Sequence, residues 1–428
     1  MPFLTLEDPN AKIKGSRDPL GVQPAWTTFG RHVVRNLTTV SSSVRGFTVL
    51  LLARHLSAEL VEANEIPKEE ALDAFLRMEQ ICAYARFLGD GDHQDIRGIE
   101  RVARFHEEGK GIVQIRTDPR GAILSDQKVY GLWGLYSVPA RVSGLIPDGP
   151  LGVTPQAQAF LEEQYLCHLD GQRPALKKLI RKGGKLNTNP GLAWFNTLVK
   201  LLGPRFSDAE KDFYGHFLRD GREVKKDHAD RQAIFRDILE GCTNLEQRVD
   251  RAEWASLISQ AEQTDEALAR RLNRIFHLET LLAPAEALFD FLLAHNRRRP
   301  QDLAAEVSDR WGNQVPQLDR KAFQELVPEL GSATSPKQAC LMDRCQAALH
   351  DGDYEAAIRA LLEWNALVMR KRRAAPWIRL DDQGGQLEVR FLGMERLFPH
   401  RKDLGQLWRY SYFVDSLKAV THQLRCQE

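Results

Sequence analysis

The chain has 428 residues, of which 43% are hydrophobic and 27% are charged. This balance is that of a globular protein, and the length exceeds the roughly 250–300 residues at which a single hydrophobic core stops growing, so we expect two or three domains. The 59 Lys and Arg residues nearly balance the 58 Asp and Glu residues, which leaves a net charge of +1. The overall charge therefore excludes a generally polycationic protein, and any polyanion must bind to a local cluster of cations.

Nothing in the sequence suggests secretion or a membrane segment. The first residues lack the basic stretch and the long apolar run of a signal peptide. The longest apolar run, 49–53, is far shorter than the roughly 20 residues that span a bilayer. The six cysteines form no Cys-x-x-Cys pair, which favours a reducing compartment. We therefore expect a soluble, cytoplasmic protein without a membrane among its partners.

The first part of the chain changes from irregular to helical in pattern. Residues 1–25 are rich in proline and glycine, which predicts an extended N-terminal arm. From Trp26 the apolar residues recur at helical spacing, which predicts an α-rich domain over 26–170. Within it, two alternating stretches flank a Pro-Arg-Gly turn and predict a β-hairpin at about 112–124.

One stretch of this domain resembles the second half of a winged helix-turn-helix domain. The residues that carry the resemblance are Gly144-Leu145-Ile146, the loop 147–152 and Val153-Thr154-Pro155. The resemblance implies a winged-helix part over about 97–165, with Arg141 facing a nucleic-acid groove. Wings of that family usually carry Arg or Lys, and this loop carries neither. The alternatives are that the aromatic residues 130–136 are core, or that they bind a protein.

The remaining sequence has helical spacing over most of its length. It predicts a helical middle domain over 171–333 and a C-terminal domain over 334–428. The latter contains a predicted helical hairpin over Lys337–Met369, a predicted β-hairpin at about 377–391 and a final helix. The predicted fold class is therefore mainly α, a multi-domain helical protein with two small β-hairpins.

The strongest local charge imbalance lies between Asp170 and Asp208, where no acidic residue occurs. Its cations fall on two adjacent stripes of one short predicted helix, and a Gly-Gly-Lys loop follows. Such clusters bind phosphate backbones because each neutralised phosphate releases counterions. The alternative is a solvated basic face that is paired with acids elsewhere in the chain. The predicted nucleic-acid contacts are Arg173, Lys177, Lys178, Arg181, Lys182, Lys185 and Arg141.

Searches for catalytic motifs give little. The sequence has no phosphate-binding Gly-x-x-x-x-Gly-Lys-Ser/Thr loop, no Gly-x-Ser-x-Gly elbow and no His-Glu-x-x-His pair. The nearest cluster consists of Asp90, Asp92, His93 and Asp95, which could bind a divalent ion but equally suit a turn between two helices. We therefore expect no catalytic residue, no metal and no cofactor, and we lean towards a protein that is not an enzyme.

Two aromatic segments, Tyr130–Ser137 and Leu407–Leu417, are similar to uncharacterised bacterial proteins found among antiviral defence genes. The resemblance implies a multi-protein prokaryotic complex. Our leading hypothesis is a non-enzymatic subunit that binds nucleic acid or scaffolds partners, with other protein subunits, and as one alternative DNA, as its partners. A pure protein-interaction scaffold without nucleic-acid affinity is the first alternative, and a divergent metal-dependent nuclease is the second.

Overall fold

The described part of the chain is mainly α-helical, with two small two-stranded antiparallel sheets, which confirms the predicted fold class. No helix in that part combines the length and the apolar character needed to cross a membrane. The structure is a computed structural model, and the residues it describes are 18–89, 95–149, 151–188, 192–224, 229–242, 244–381, 383, 385–391 and 398–425.

The elements follow one another with short connections. The strands are β1 (Ile112–Ile115), β2 (Gly184–Asn187), β3 (Ile378–Leu380) and β4 (Leu387–Val389). The α-helices are α1 (Gln23–Arg31), α2 (Val44–Glu62), α3 (Ala71–Leu88), α4 (Ile99–Glu108), α5 (Gln127–Tyr130), α6 (Leu132–Val142), α7 (Pro155–Leu161), α8 (Arg173–Lys182), α9 (Ala193–Leu201), α10 (Asp208–Tyr214), α11 (Ala229–Cys242), α12 (Arg251–Thr264), α13 (Glu266–Leu293), α14 (Pro300–Trp311), α15 (Arg320–Gln324), α16 (Val327–Ala333), α17 (Pro336–Asp351), α18 (Tyr354–Lys371), α19 (Arg401–Leu404) and α20 (Val414–Arg425).

The chain divides into two compact units, each made of two segments. The first unit contains Met1–Val33 and Val249–Tyr412, and the second contains Val34–Arg248 and Phe413–Glu428. The boundary that the sequence suggested near residue 170 falls inside the second unit, because β1 pairs with β2 across it. The boundary suggested near 333 falls inside the first unit, because α16 packs on α17 across it. Helix α1 begins inside the segment predicted as an arm, whose residues 1–17 lie outside the described residues.

Helix α2 is the centre of the second unit. Sixteen of its 19 residues are buried, and it packs against α3 and α6. Its start is capped by Ser43, whose hydroxyl accepts the Gly46 N–H at 3.0 Å. The buried Arg45 donates to the Gly203 carbonyl at 2.8 Å and forms an ion pair with Glu210. A helix that is buried on all sides can carry a charge only where such partners compensate it.

The sequence predicted a β-hairpin at about 112–124, and the prediction of its second strand is wrong. Strand β1 pairs with β2, with Val113 opposite Leu186, and residues 122–124 form no strand. The side chain of Gln80 explains the difference, because it accepts the backbone N–H of Arg116 at 3.1 Å and donates to the Arg116 carbonyl at 2.9 Å. These bonds occupy the backbone groups that a hairpin ladder would need next.

The winged-helix segment has the predicted helix start but not a wing. Pro155 is the first residue of α7, as the pattern indicated. The described residues of the loop 147–152 form no strand. Arg54 of α2 donates to the carbonyls of Gly149 at 3.1 Å and Gly152 at 3.0 Å, so the loop is bound to the central helix. The proposed wing is therefore corrected to a loop that is held against its own unit.

The first unit contains both C-terminal motifs that the sequence predicted. Helices α17 and α18 form the predicted helical hairpin, with Asp353 capping α18 through the Ala356 N–H at 3.0 Å. Strands β3 and β4 form the second predicted hairpin, with Ile378 opposite Val389. Local turn and capping signals determine both motifs, which is why the sequence was sufficient for them.

A buried carboxyl group lies in the long helix α13 of this unit. Glu279 accepts hydrogen bonds from the Tyr412 hydroxyl at 2.6 Å and from the Tyr410 N–H at 3.2 Å. Burial raises the pKa of Glu279 from 4.5 to about 8, and the hydrogen bonds from Tyr412 and Arg409 oppose the shift. At neutral pH the folded protein therefore keeps this group protonated.

This group makes stability pH-dependent. Because its folded pKa is raised, the stabilisation is complete below about pH 4.5 and is lost as the pH rises towards 8. We expect Glu279→Gln to weaken the fall in Tm between pH 5 and pH 8, by an amount that corresponds to roughly a few kcal/mol. Thermal melts followed by circular dichroism test this. Glu266→Gln, an exposed change on the same helix, is the control, and equal pH dependence in both variants would contradict the assignment.

Gly183 connects α8 to β2 and has a left-handed φ of 66°. A Cβ at this position would lie 2.6 Å from the Ile115 carbonyl oxygen. We expect Gly183→Ala to lower the free energy of unfolding by about 2–4 kcal/mol, from backbone strain and the clash together. Gly171→Ala is the matched control, because its φ is 77° and its Cβ would meet no atom within 4 Å. Urea unfolding measures both, and equal losses would show that the contact with β1 is unimportant.

Candidate nucleic-acid interface

The predicted basic helix is α8, and its position is fixed by its buried face and by contacts at its C-terminal end. Leu176 and Ile180 are its buried residues, and the helix packs on α2 and α3. Arg77 of α3 donates to the carbonyls of Ile180 at 3.1 Å and Arg181 at 2.7 Å, and so satisfies two of the carbonyls that a helix end leaves free. The turn at Gly183 then leads into β2, where Lys185 lies opposite Gln114.

Three predicted phosphate contacts already have carboxylate partners within the second unit. Lys177 Nζ lies 3.0 Å from Glu59 Oε1, and Arg181 Nη1 lies 2.9 Å from Glu65 Oε2. Arg173 forms an ion pair with Glu162. These residues are spaced by four, so they form one row along the helix, which we call the paired row.

Two further groups lie beside the ion pair of Arg173 with Glu162. Asp170 Oδ1 lies 3.8 Å from Arg173 Nε, and His55 Nε2 lies 3.3 Å from Glu162 Oε1. The side chain of Arg173 is 21% exposed. This guanidinium is therefore part of the packing of the second unit rather than a group that is free to bind a phosphate.

The other three predicted contacts face solvent. Lys178 and Lys182 are exposed on the next row of α8, and Lys185 is exposed on β2. Among the described residues, none of the three forms an ion pair or a hydrogen bond through its ammonium group. We call these three residues the free lysines. They are the part of the predicted interface that is available to a polyanion.

Arg141 has a separate environment. It lies on α6, with its Nε 3.8 Å from Asp148 Oδ1, and no ion pair or hydrogen bond in the described chain joins it to α8. It is close enough to affect Arg54, whose pKa falls to about 10, mainly through burial and secondarily through the charge of Arg141. The structure therefore does not bring Arg141 into contact with the six residues of the basic segment.

Of the four residues of the alternative metal cluster, the structure describes Asp95. Asp90, Asp92 and His93 lie outside the described residues. The Asp95 carboxylate accepts a hydrogen bond from Ser43 and forms an ion pair with Arg86. No group of three His, Cys, Asp or Glu residues in the described chain is arranged to hold a metal ion.

Sequence reasoning missed the acids of the paired row. Glu59 is 118 residues from Lys177, and Glu65 is 116 residues from Arg181. No local pattern indicates pairs at that separation. The spacing of 173, 177 and 181 does separate them from 178 and 182, so helical periodicity alone predicts two rows, although not which row faces the protein.

The chain matches no protein-family model, no curated protein and no solved structure, so its own geometry is what any functional assignment must start from.

Proposed function

We propose that this chain is a non-enzymatic subunit that binds a nucleic-acid backbone through the free lysines. The observation that supports the proposal is that Lys178, Lys182 and Lys185 are exposed and lack ion pairs among the described residues. Side chains four apart on a helix are neighbours, with about 5–6 Å between their Cβ atoms, so Lys178 and Lys182 form one patch. Lys185 lies three residues after Lys182, on β2, which follows the turn at Gly183.

The expected binding is weak and independent of base sequence. Ammonium groups contact phosphates as point charges and position a protein on a strand without reading bases. Three contacts supply much less than all six cations of the basic segment would, because the paired row would first have to leave its carboxylates. Useful affinity therefore requires other subunits, whose combined contacts raise the effective concentration of the strand. The setting in a prokaryotic complex, with antiviral defence as its role, stays a prediction.

The number of contacts can be measured from salt dependence. Each phosphate neutralised on duplex DNA contributes about −0.9 to the slope of log K against log salt concentration, so we expect a slope of about −2.7, against about −5.4 for all six cations of the basic segment. Fluorescence anisotropy with a short labelled duplex at several salt concentrations gives this slope. The triple variant Lys178→Glu, Lys182→Glu and Lys185→Glu should abolish binding at low salt.

A matched control separates local contacts from overall charge. Lys321, Lys337 and Lys402 are exposed and belong to the first unit, so their triple change to Glu alters the net charge by the same amount. The control variant should bind the duplex as the unchanged protein does. Equal losses in the two variants, or unaltered binding after the change of the free lysines, would refute the proposal.

A second candidate function, binding of a partner protein, is favoured by a different surface. Four of the seven large hydrophobic side chains that are exposed among the described residues are Val129, Tyr130, Val138 and Val142. They lie on α5 and α6, which touch at Gly134, where a Cβ would lie 2.1 Å from the Val129 carbonyl oxygen. Clustered exposed apolar residues are typical of protein interfaces. We call these four residues the apolar patch.

The other aromatic residues of the segment 130–136 pack inside the second unit, as expected under the alternative that this segment is core. Tyr136 is buried and lies against Phe47, with ring centroids 4.9 Å apart, while Trp133 lies against Phe75 at 5.0 Å. Lys128 is the one charged residue between positions 127 and 140. Because the four exposed side chains are apolar, the partner expected at the apolar patch is a protein that presents an apolar surface.

Loss of this patch should remove a protein partner without affecting the fold. We expect Tyr130→Ser with Val138→Asn to change Tm by less than about 1 °C per substitution, because exposed sites contribute little to stability, and to abolish stoichiometric co-purification of a partner from the native host. Quantitative mass spectrometry of the purified complex is the measurement. Ile112→Asn, at another exposed apolar residue, is the control. Unchanged stoichiometry in the double variant would refute this function.

A further inference from the structure

The first unit contains an open cleft of about 600 Å³ beside the N-terminus of α12. Its lining residues come from four places in the sequence, all within Val249–Tyr412: the start of α12, helix α13, the loop before α15 and the residues after α19. A volume of this size is typical of small-molecule sites. The cleft is separate from the free lysines and the apolar patch, which belong to the second unit.

Arg251 is the unusual residue of this cleft. It is only 8% exposed, yet its guanidinium forms no hydrogen bond or ion pair with any described residue, and Nη2 is shielded from solvent. Its guanidinium carbon lies 4.8 Å from the centroid of the Phe276 ring. A buried cation without a counter-charge lowers stability, and a cation–π contact offsets only part of that cost.

Among the described residues of the first unit, no carboxylate forms an ion pair with Arg251. Glu279 is the acid whose charge acts on Arg251, but its carboxyl group is occupied by Tyr412 and by the backbone N–H of Tyr410. Burial raises the pKa of Glu279 to about 8, so it is mostly neutral at pH 7. Burial also lowers the pKa of Arg251, although a guanidinium stays protonated at neutral pH.

The first turn of α12 adds donors to the same place. The Asp250 side chain caps the helix by accepting the Glu253 N–H at 2.8 Å. The backbone N–H groups of Arg251 and Ala252 donate to no acceptor in the described chain. The helix dipole favours an anion there, but the Asp250 carboxylate, which also lines the cleft, repels a second negative charge. A singly charged group therefore suits the site better than a doubly charged phosphate.

The remaining walls suit an uncharged body. Ala252 and Ala255 line the cleft with methyl groups from α12, and the Phe276 ring lines it from α13. The side chains of Gln317 and Gln406 supply amide donors and acceptors. Gln317 has a left-handed φ of 66°, a conformation that is unfavourable for a residue with a side chain and that concentrates at binding sites.

We propose that this cleft binds a small organic carboxylate whose flat or apolar body lies between Phe276 and the α12 alanines. The carboxylate accepts hydrogen bonds from the Arg251 guanidinium and from the first N–H groups of α12. Its single charge supplies the counterion that the folded chain lacks, and its body covers apolar surface that the empty cleft leaves in water. Gln317 and Gln406 contact polar substituents and so contribute to selectivity.

The test uses the full chain and three probes of similar size: benzoate, the neutral benzyl alcohol and phenyl phosphate. Isothermal titration calorimetry should show saturable binding of benzoate, and at least tenfold weaker binding of both other probes. Arg251→Gln should weaken benzoate binding at least tenfold. Arg270→Gln, which removes an exposed guanidinium from α13, should leave it unchanged. Equal affinity for benzoate and benzyl alcohol, or retained affinity in Arg251→Gln, would overturn the proposal.

A second variant distinguishes loss of the binding site from loss of the fold. Ala255 is exposed, so Ala255→Trp fills the cleft without displacing a core residue and should block benzoate with an unchanged circular dichroism spectrum. Arg251→Gln should melt at the same temperature as the unchanged protein or higher, because it removes an uncompensated charge. A marked fall in Tm would show that Arg251 stabilises the fold instead, and benzoate binding by Ala255→Trp would place the ligand elsewhere. Either result overturns the proposal.

Discussion

Compensation of positive charge by carboxylates of the same unit decides which cations of this protein hold the fold and which can bind a partner. Arg45 illustrates the compensated state, because its guanidinium meets Glu210 and two backbone carbonyls inside the second unit. The paired row of α8 repeats the arrangement at the surface through Glu59, Glu65 and Glu162. Burying a charge costs several kcal/mol without such partners, so these acids are required by the packing itself.

Three classes of cation differ in the free energy that they gain from partners within the chain: the paired row, the free lysines and the buried Arg251. Partly exposed ion pairs contribute about 0–1 kcal/mol each, and a phosphate that binds the paired row must replace them, so each new contact is offset by a lost one. The free lysines lose no internal partner on binding, which makes them the better contacts despite their small number. Arg251 is the opposite extreme, since it is buried and forms no hydrogen bond or ion pair in the described chain. Each class therefore implies a different ligand, and charge counting along the sequence does not distinguish them.

Sequence patterns predicted the structure correctly where it depends on residues that are close together in the chain. The hairpins α17–α18 and β3–β4 and the start of α7 follow from caps, turns and periodicity within a few residues. The pairing of β1 with β2 could not be derived, because the partner strand lies some 70 residues away and Gln80 prevents the nearer pairing. The separation of paired from free cations also depends on acids more than 100 residues away, and Arg251 carries no local signal at all.

The order of the segments along the chain affects how the second unit folds during synthesis. The last helix, α20, completes the second unit, where Gln423 accepts the Val44 N–H at 3.0 Å and donates to the Ser42 carbonyl at 2.6 Å. These bonds cap the start of the central helix α2, although almost 380 residues separate the two elements. A nascent chain therefore emerges from the ribosome before Gln423 can bind the start of its central helix, where Ser43 is the local cap. Because synthesis proceeds at about 5–20 residues per second, α2 waits roughly 20–80 seconds for that partner, an interval in which chaperones have access to it.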